Sequence, residues 1–311
     1  MTKIGYLGPP GTFTEEALLG QDDLASGELV PMASVNDVLA ATEAGDVALG
    51  FVPIENSIEG TQTATLDALV FDHTLLIQRE VVIPIHMQLL GPAGLRLQDV
   101  RQVLAFPFAA AQCRAFLAEK LPGAEVVAAY SNADAARRLG EDRPAGTAAV
   151  STSLAAELYS LAVMATSIED HPDNATRFVA VAAVGIPAPT GHDRTSIACF
   201  QKADRPGSLH TILGQFSARN INLTKLESRP TKKGLGDYCF IIDLVGHVTD
   251  EVVADCLRDL HAQLKDVRFL GSYPAAGEGG AAIRRDARKA WRDADGWVAS
   301  LRAQVHYQPD R

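Results

Sequence analysis

At 311 residues the chain is about twice the ~150-residue size at which single domains cluster, which predicts two domains, or three if the first is split. Hydrophobic residues at 47% and charged residues at 21% are ordinary globular values, and 25 Gly with 16 Pro is too little for a low-complexity chain, so global disorder is excluded. The net charge of −10, from 28 Lys+Arg against 38 Asp+Glu, opposes nonspecific binding to nucleic acid or to an anionic membrane, and predicts that an anionic ligand is met by a local positive site.

Ile4–Leu7 reads as a short buried strand and Gly8-Pro9-Pro10-Gly11 as a turn. Thr12 with Glu15 three residues on is a capping-box pattern, opening a helix through Ala17, Leu18 and Leu19. Val35–Ala44 reads as helix and Val47–Ile54 as strand, and this repeated strand, loop, helix order favours a parallel α/β sheet. Glu80–Leu90 and Val103–Phe106 read as strands and Ala109–Lys120 as a helix. Val126–Tyr130 and Thr147–Ser151 (strands), alternating with Asp134–Leu139 and Leu154–Tyr159 (helices), complete a second lobe over about residues 79–160. Asp170–Gly185 returns through a polar loop to an apolar strand, closing a first domain over residues 1–186, and Ile186-Pro-Ala-Pro-Thr-Gly191 is a linker.

Beyond the linker the order changes. Thr195–Phe200 (strand), Gly207–Arg219 (helix), Ile221–Arg229 (strand), Tyr238–Val245 (strand), Asp250–Leu264 (helix) and Val267–Tyr273 (strand) give a ferredoxin-like βαββαβ domain over residues 194–273. Over residues 275–311, Ile283, Ala287, Trp291, Ala294, Val298, Leu301 and Val305 are spaced by three and four, which predicts an amphipathic terminal helix. Residues 281–311 hold seven Lys/Arg against four Asp/Glu, and the helix is expected to pack on the acidic body or on a partner subunit.

The N-terminus shows no apolar stretch of signal-peptide length, and the longest near-apolar run, Phe178–Pro189, is too short for a membrane helix, so a cytoplasmic protein without membrane or nucleic-acid partners is expected. Cys113, Cys199, Cys239 and Cys256 are far apart and read as reduced packing residues. The eight histidines, among them His73, His86, His171 and His192, show no metal-ligand spacing, and no metal or cofactor is expected.

Three segments place polar groups on loops where a core does not need them. Gly8-Pro-Pro-Gly-Thr-Phe-Thr14 lies between a strand and a helix, where Thr12, Phe13 and Thr14 either cap the helix or offer N–H groups to a carboxylate. It has neither the lysine of a nucleoside-triphosphate loop nor a dinucleotide fingerprint. Val52-Pro-Ile-Glu-Asn-Ser-Ile-Glu-Gly60 delivers Glu55, Asn56 and Ser57 at a strand end, with Glu59 one step behind; strand ends of open sheets are ligand sites, although Glu55 could equally be a solvated loop carboxylate. Asp173-Asn-Ala-Thr-Arg-Phe178 offers Asn174, a hydroxyl on Thr176 and a planar fork on Arg177 as a strand begins, or else an ordinary turn and an exposed arginine.

GPPGTFTEEAL, VPIENSIEG, NATRF and the later NINLTKLESRP, in that order and at these distances, resemble prephenate dehydratase over roughly residues 3 to 273. The resemblance implies a two-lobed α/β catalytic domain similar to type II periplasmic binding proteins, then an ACT domain, in a monofunctional form. It implies that prephenate loses carbon dioxide and its ring hydroxyl to give phenylpyruvate and water. It assigns Thr176 as hydrogen-bond donor to the leaving oxygen, Glu55 as the group that polarises it or positions water, and Arg177 with the Thr12–Thr14 N–H groups as carboxylate anchors. Asn56, Ser57, Gln112, Asn174 and Phe178 complete the expected substrate site.

For the ACT domain the resemblance implies L-phenylalanine as effector, held by Gly207, Ser208, Leu209, Asn220, Asn222, Leu223, Glu227 and Ser228 between two copies in a homodimer or homotetramer. Ala105-Phe106-Pro107-Phe108 stands where relatives often carry Ser-His-Pro-Gln, which predicts a more apolar wall, and Ser131-Asn132-Ala133 replaces the more usual Ser-Thr-Ala. Arogenate dehydratase is the nearest enzymatic alternative, and an amino-acid-sensing binding protein is the non-catalytic one.

Overall fold

The computed structural model describes residues 2–203, 205–232, 234, 237–277 and 293–304. The chain forms two compact units: Met1–Leu75 with Glu80–Val184, and Leu76–Arg79 with Gly185–Arg311.

The first unit contains two α/β lobes. In the first lobe β1 (Lys3–Leu7) lies parallel to β2 (Glu28–Met32) on one side and to β3 (Leu49–Asn56) on the other. Three helices, α1 (Phe13–Leu19), α2 (Asp22–Ala25) and α3 (Val35–Ala44), connect them. After β3 come the two-residue β4 (Gly60–Thr61), α4 (Thr63–Asp67) and a π turn at Ala68–Asp72. β5 (Leu76–Pro84) then joins the same sheet.

The second lobe comprises β6 (Gln88–Gly91), β7 (Gln102–Ala105), α5 (Pro107–Gln112), α6 (Arg114–Lys120), β8 (Glu125–Ala128), α7 (Asn132–Asp142), β9 (Thr147–Ser151), α8 (Ser153–Leu158) and β10 (Ala162–Ala165). Its sheet runs β10-β6-β9-β7-β8. The chain returns as β11 (Ala175–Ala182), which inserts between β3 and β5.

Three expectations are corrected. Neither sheet is purely parallel: β11 runs antiparallel to β3, and β6 antiparallel to both β9 and β10. The apolar stretch 80–90 is two strands in two sheets, so the second lobe's strands span 88–165 rather than starting near 79. The expected helix 109–120 breaks at Cys113, whose φ −111, ψ 18 is not helical.

The local causes are readable. Thr12 caps α1 by accepting from the Glu15 N–H at 3.3 Å, but the Glu15 carboxylate turns back to the Gly11 N–H and the Tyr6 hydroxyl instead of closing the expected box on Thr12. Ser34, Ser131 and Thr152 cap α3, α7 and α8 in the same manner. Adjacent strand residues feed opposite faces of the second sheet. Val103 packs with Ala109, Cys113 and Leu117, whereas Leu104 packs with Ala135, Leu139 and Ala155. In the first lobe Phe51 stacks on Phe178 with centroids 5.6 Å apart, inside a cluster containing Ile4, Tyr6 and Leu18. Each such side chain contributes roughly 1.5–3 kcal/mol on burial.

The second unit is a ferredoxin-like domain: β12 (Asp193–Phe200), α9 (Ser208–Ser217), β13 (Leu223–Pro230), β14 (Tyr238–Val245), α10 (Glu251–Gln263) and β15 (Asp266–Pro274). The antiparallel sheet runs β13-β14-β12-β15. Ile212 and Phe216 of α9 and Val253, Cys256 and Leu260 of α10 cluster with Ile197, Phe240, Ile242 and Leu244 of the sheet. Gly271 has φ +142 and a Cβ there would lie 2.6 Å from the Ile77 carbonyl, so this strand position requires glycine.

Residues 293–302 are helical, and Trp297 is 64% and Leu301 45% exposed, so among the described residues nothing covers these two side chains, whereas a partner subunit, the other expected cover, is not part of the structure. Ile283, Ala287, Trp291 and Val305 lie outside the described residues. All four cysteines are buried free thiols. No helix among the described residues is long and apolar enough to cross a membrane.

Candidate active site

The register between β3 and β11 organises the site. Thr176 pairs with Asn56 and Arg177 with Glu55, and because side chains alternate along a strand the two pairs face opposite sides of the sheet. Thr176 and Asn56 line a cavity of about 230 Å³ between the lobes. Arg177 and Glu55 do not line it.

The cavity's first-lobe wall includes Thr12, Phe13 and Thr14 at the start of α1, Asn56 at the end of β3, Glu59 and Gln62 beyond it, and Asn174, Thr176 and Phe178 of the returning segment. The second-lobe wall is Phe106, Phe108, Ala109 and Gln112 of α5 and its entry, with Ser131 and Asn132 at the start of α7. Phe106 and Phe108 have centroids 5.5 Å apart, and Phe108 is 57% exposed, so the Ala-Phe-Pro-Phe departure does give an apolar wall. The Gly8–Gly11 turn also holds the lobes together. The Thr152 hydroxyl donates to the Gly11 carbonyl at 2.8 Å and the Tyr159 hydroxyl to the Pro10 carbonyl at 3.3 Å.

A hydrogen-bonded ring joins the polar wall. Asn56 Nδ2 donates to Thr176 Oγ1 at 2.9 Å and to Asn174 Oδ1 at 2.8 Å. Asn174 Nδ2 donates to Gln112 Oε1 at 3.0 Å, and Gln112 Nε2 donates to Glu59 Oε1 at 2.8 Å. The Glu59 N–H closes the ring on Asn56 Oδ1 at 2.9 Å. Gln112 belongs to the second lobe, so this ring bridges the two walls. Burial pushes the Glu59 carboxyl above the usual carboxylate range, against the lowering effect of the Gln112 hydrogen bond.

Of the expected site residues, Thr12, Phe13, Thr14, Asn56, Gln112, Asn174, Thr176 and Phe178 come together around the cavity. Ser57 sits behind it, donating to Asn174 Oδ1 at 3.4 Å and accepting from the Ala175 N–H at 2.9 Å. Arg177 Nε lies 2.7 Å from Glu80 Oε2 and its Nη1 3.3 Å from Glu55 Oε2, with the Glu80 side chain 1% exposed, so the expected carboxylate anchor is engaged in an internal ion-pair cluster. Glu55 is on that same far face and not beside the Thr176 hydroxyl. Among the described residues no Lys or Arg lines the cavity, and its side-chain donors are neutral amides and hydroxyls. In the sequence Glu59 stands out only as a neighbour of the VPIEN segment, yet it lines the cavity.

In the second unit Asn220, Asn222 and Leu223 line a cavity of about 320 Å³ with Leu213, Phe216, Ser217 and Ile221. Gly207, Ser208 and Leu209 lie at the other end of α9, roughly 15 Å away for ten helical residues, and do not line it. Glu227 and Ser228 sit on β13, where Glu227 faces Lys225 at 3.5 Å and Arg229 at 4.0 Å. One copy of the chain therefore does not gather the eight expected effector residues into a single cavity.

The family profile of prephenate dehydratase matches residues 4–185 and that of the ACT domain residues 195–262. Prephenate dehydratase of Mycolicibacterium gilvum is 44% identical over 293 residues, covering 91% of this chain and 94% of the relative. The structure of prephenate dehydratase from Arthrobacter aurescens in complex with L-Phe superposes with a TM-score of 0.87 at 40% identity, covering 96% of this chain and 99% of the other. GqqA, described as a novel type of quorum quenching acylase, superposes with a TM-score of 0.78 at 28% identity over 88% of this chain and 98% of its own. Because this fold carries more than one reported chemistry, the fold alone does not fix the reaction. Taken with the Asn56, Gln112, Asn174 and Thr176 cavity, the two profiles and the near-complete coverage by relatives place this chain in the prephenate dehydratase family.

Proposed function

We propose that this chain converts prephenate to phenylpyruvate, carbon dioxide and water in its interlobe cavity, under feedback by L-phenylalanine at the ACT domain. The observation that carries the catalytic part is the state of Thr176. Its oxygen accepts from Asn56 Nδ2 at 2.9 Å, which leaves the hydroxyl proton to be donated into the cavity, toward the ring hydroxyl that departs. Asn56 is in turn held by Asn174, so the donor is set before substrate arrives.

The neutral lining suits the other half of the reaction. A tight cation on the departing ring carboxylate would stabilise the ground state more than the transition state, and among the described residues no Lys or Arg lines this cavity. Hydrogen bonds from Gln112, Ser131, Asn132 and the first turn of the eleven-residue α7 hold the substrate's carboxylates without that penalty. Phe106, Phe108 and Phe178 supply apolar surface for the ring.

The A. aurescens relative bound to L-Phe supports the effector assignment. Separation of the Gly207–Leu209 and Asn220–Leu223 groups within one copy supports a site completed by a second copy, as a homodimer or homotetramer in the cytoplasm. The test is incubation of purified protein with prephenate and, separately, with arogenate, following phenylpyruvate and phenylalanine, with L-phenylalanine added or omitted. Prephenate turnover suppressed by L-phenylalanine is the expected result. Consumption of arogenate alone replaces the substrate, and consumption of neither leaves the binding-protein reading.

A further inference from the structure

A reaction that expels hydroxide from a ring carbon needs a proton at the leaving oxygen, and a threonine hydroxyl is too weak an acid to surrender its own at neutral pH. Among the described residues lining the cavity, Glu59 is the one titratable side chain. Gln112 Nε2 occupies its Oε1 at 2.8 Å, which leaves Oε2 to carry a proton, and the Asn56 carboxamide oxygen holds the Glu59 N–H at 2.9 Å. The carboxyl is thereby fixed at both its backbone and its side chain in the wall that also presents Thr176.

We infer that Glu59 is the proton donor to the departing ring hydroxyl. This rests on the prephenate reading. The bond from the ring to its carboxylate carbon breaks and its electron pair enters the ring π system. The ring C–O bond then breaks with its pair on oxygen, and that oxygen takes the proton of the Glu59 carboxyl while Thr176 donates a hydrogen bond to it. The products are carbon dioxide, water, the aromatic ring and the Glu59 carboxylate, which solvent reprotonates after product leaves.

Desolvation and the substrate's charge shift the carboxyl toward its protonated form, against the hydrogen bond from Gln112. Burial already raises the Glu59 carboxyl, and a substrate with two carboxylates raises it further, since an ionised Glu59 would repel it. Among the charged groups on neighbouring elements, Glu16 of α1 is likewise pushed up by burial, against the lowering charge of His86, and the following are engaged elsewhere. Glu55 and Arg177 pair on the far face of the sheet, Asp170 accepts from the Ala115 N–H, and Glu169 pairs with His86 and the Met87 N–H. His171 and Asp173, on the loop before Asn174, are exposed.

The experiment is kcat and kcat/KM for prephenate against pH in the wild type, Glu59→Gln and Glu59→Asp, with thermal midpoints to verify folding. The active form is protonated, so wild-type kcat/KM falls as pH rises through the raised Glu59 value. Glu59→Gln lowers kcat about 100-fold and removes that limb, the size expected for losing a general acid. Glu59→Asp keeps the limb at a reduced rate. A folded Glu59→Gln enzyme with kcat within about twofold of wild type, or with the limb unchanged, overturns the inference while wild-type turnover preserves the prephenate reading. Absence of wild-type turnover overturns both.

Discussion

Thr176→Ala is expected to lower kcat for prephenate by about 10²–10³-fold with KM changed only a few-fold, the usual effect of removing one donor aimed at charge that develops in the transition state. In the resting protein the hydroxyl accepts from Asn56 Nδ2, and Asn56 retains Asn174 Oδ1 when the hydroxyl is removed, so the wall stays assembled and the loss appears in the chemical step. Thr176→Ser restores the hydroxyl and is expected to recover most of the rate. Steady-state kinetics on the three proteins decide the matter. A raised KM with kcat intact assigns Thr176 to binding alone.

Arg177→Ala is expected to destabilise the first unit by about 3–5 kcal/mol, the range for breaking a buried ion pair by removing one partner. Glu80, with its side chain 1% exposed, loses the cation 2.7 Å away, and Glu55 loses its cross-strand partner at 3.3 Å. The thermal midpoint should fall by on the order of 10 °C for a unit of this size. Arg177→Lys keeps a charge but not the fork that reaches both carboxylates, so an intermediate midpoint is expected. An unchanged midpoint with a sharply raised KM for prephenate would return Arg177 to the substrate.

The contrast between those neighbours shows what the sequence conveys. Regular elements with strong local signals are legible in it: Val35–Ala44, Thr147–Ser151 and Tyr238–Val245 are bounded in the structure as the pattern predicts. Weak or edge elements are not. β2 carries Pro31 and lies at the sheet edge, where a missing N–H is tolerated, so its sequence reads as a break in a strand pattern. β10, also an edge strand, is four residues with alanine at both ends and has little β signal. The antiparallel return of β11 depends on a segment more than 100 residues after β3, which no local pattern encodes.

Within the site, grouping Thr176 with Arg177 treated a motif as a cluster. Strand alternation, visible in the three letters Thr-Arg-Phe, already separates them onto two faces. Glu59 carries no signal in the sequence for a different reason. Its significance comes from Gln112, 53 positions later, and from partial desolvation at the cavity edge, where the side chain stays exposed, both products of the tertiary fold.

The four buried thiols have a practical consequence. Burial pushes Cys113 and Cys199 up to about 12 and Cys256 to about 11, so at neutral pH these three carry almost no thiolate, and all four sulfurs are buried away from a reagent. Alkylation then requires transient opening of the surrounding core, and its rate measures the free energy of that opening. Cys113 reports on the second lobe, and Cys199, Cys239 and Cys256 on the ferredoxin-like unit, so mass spectrometry of labelled peptides would time the breathing of each without a single engineered probe.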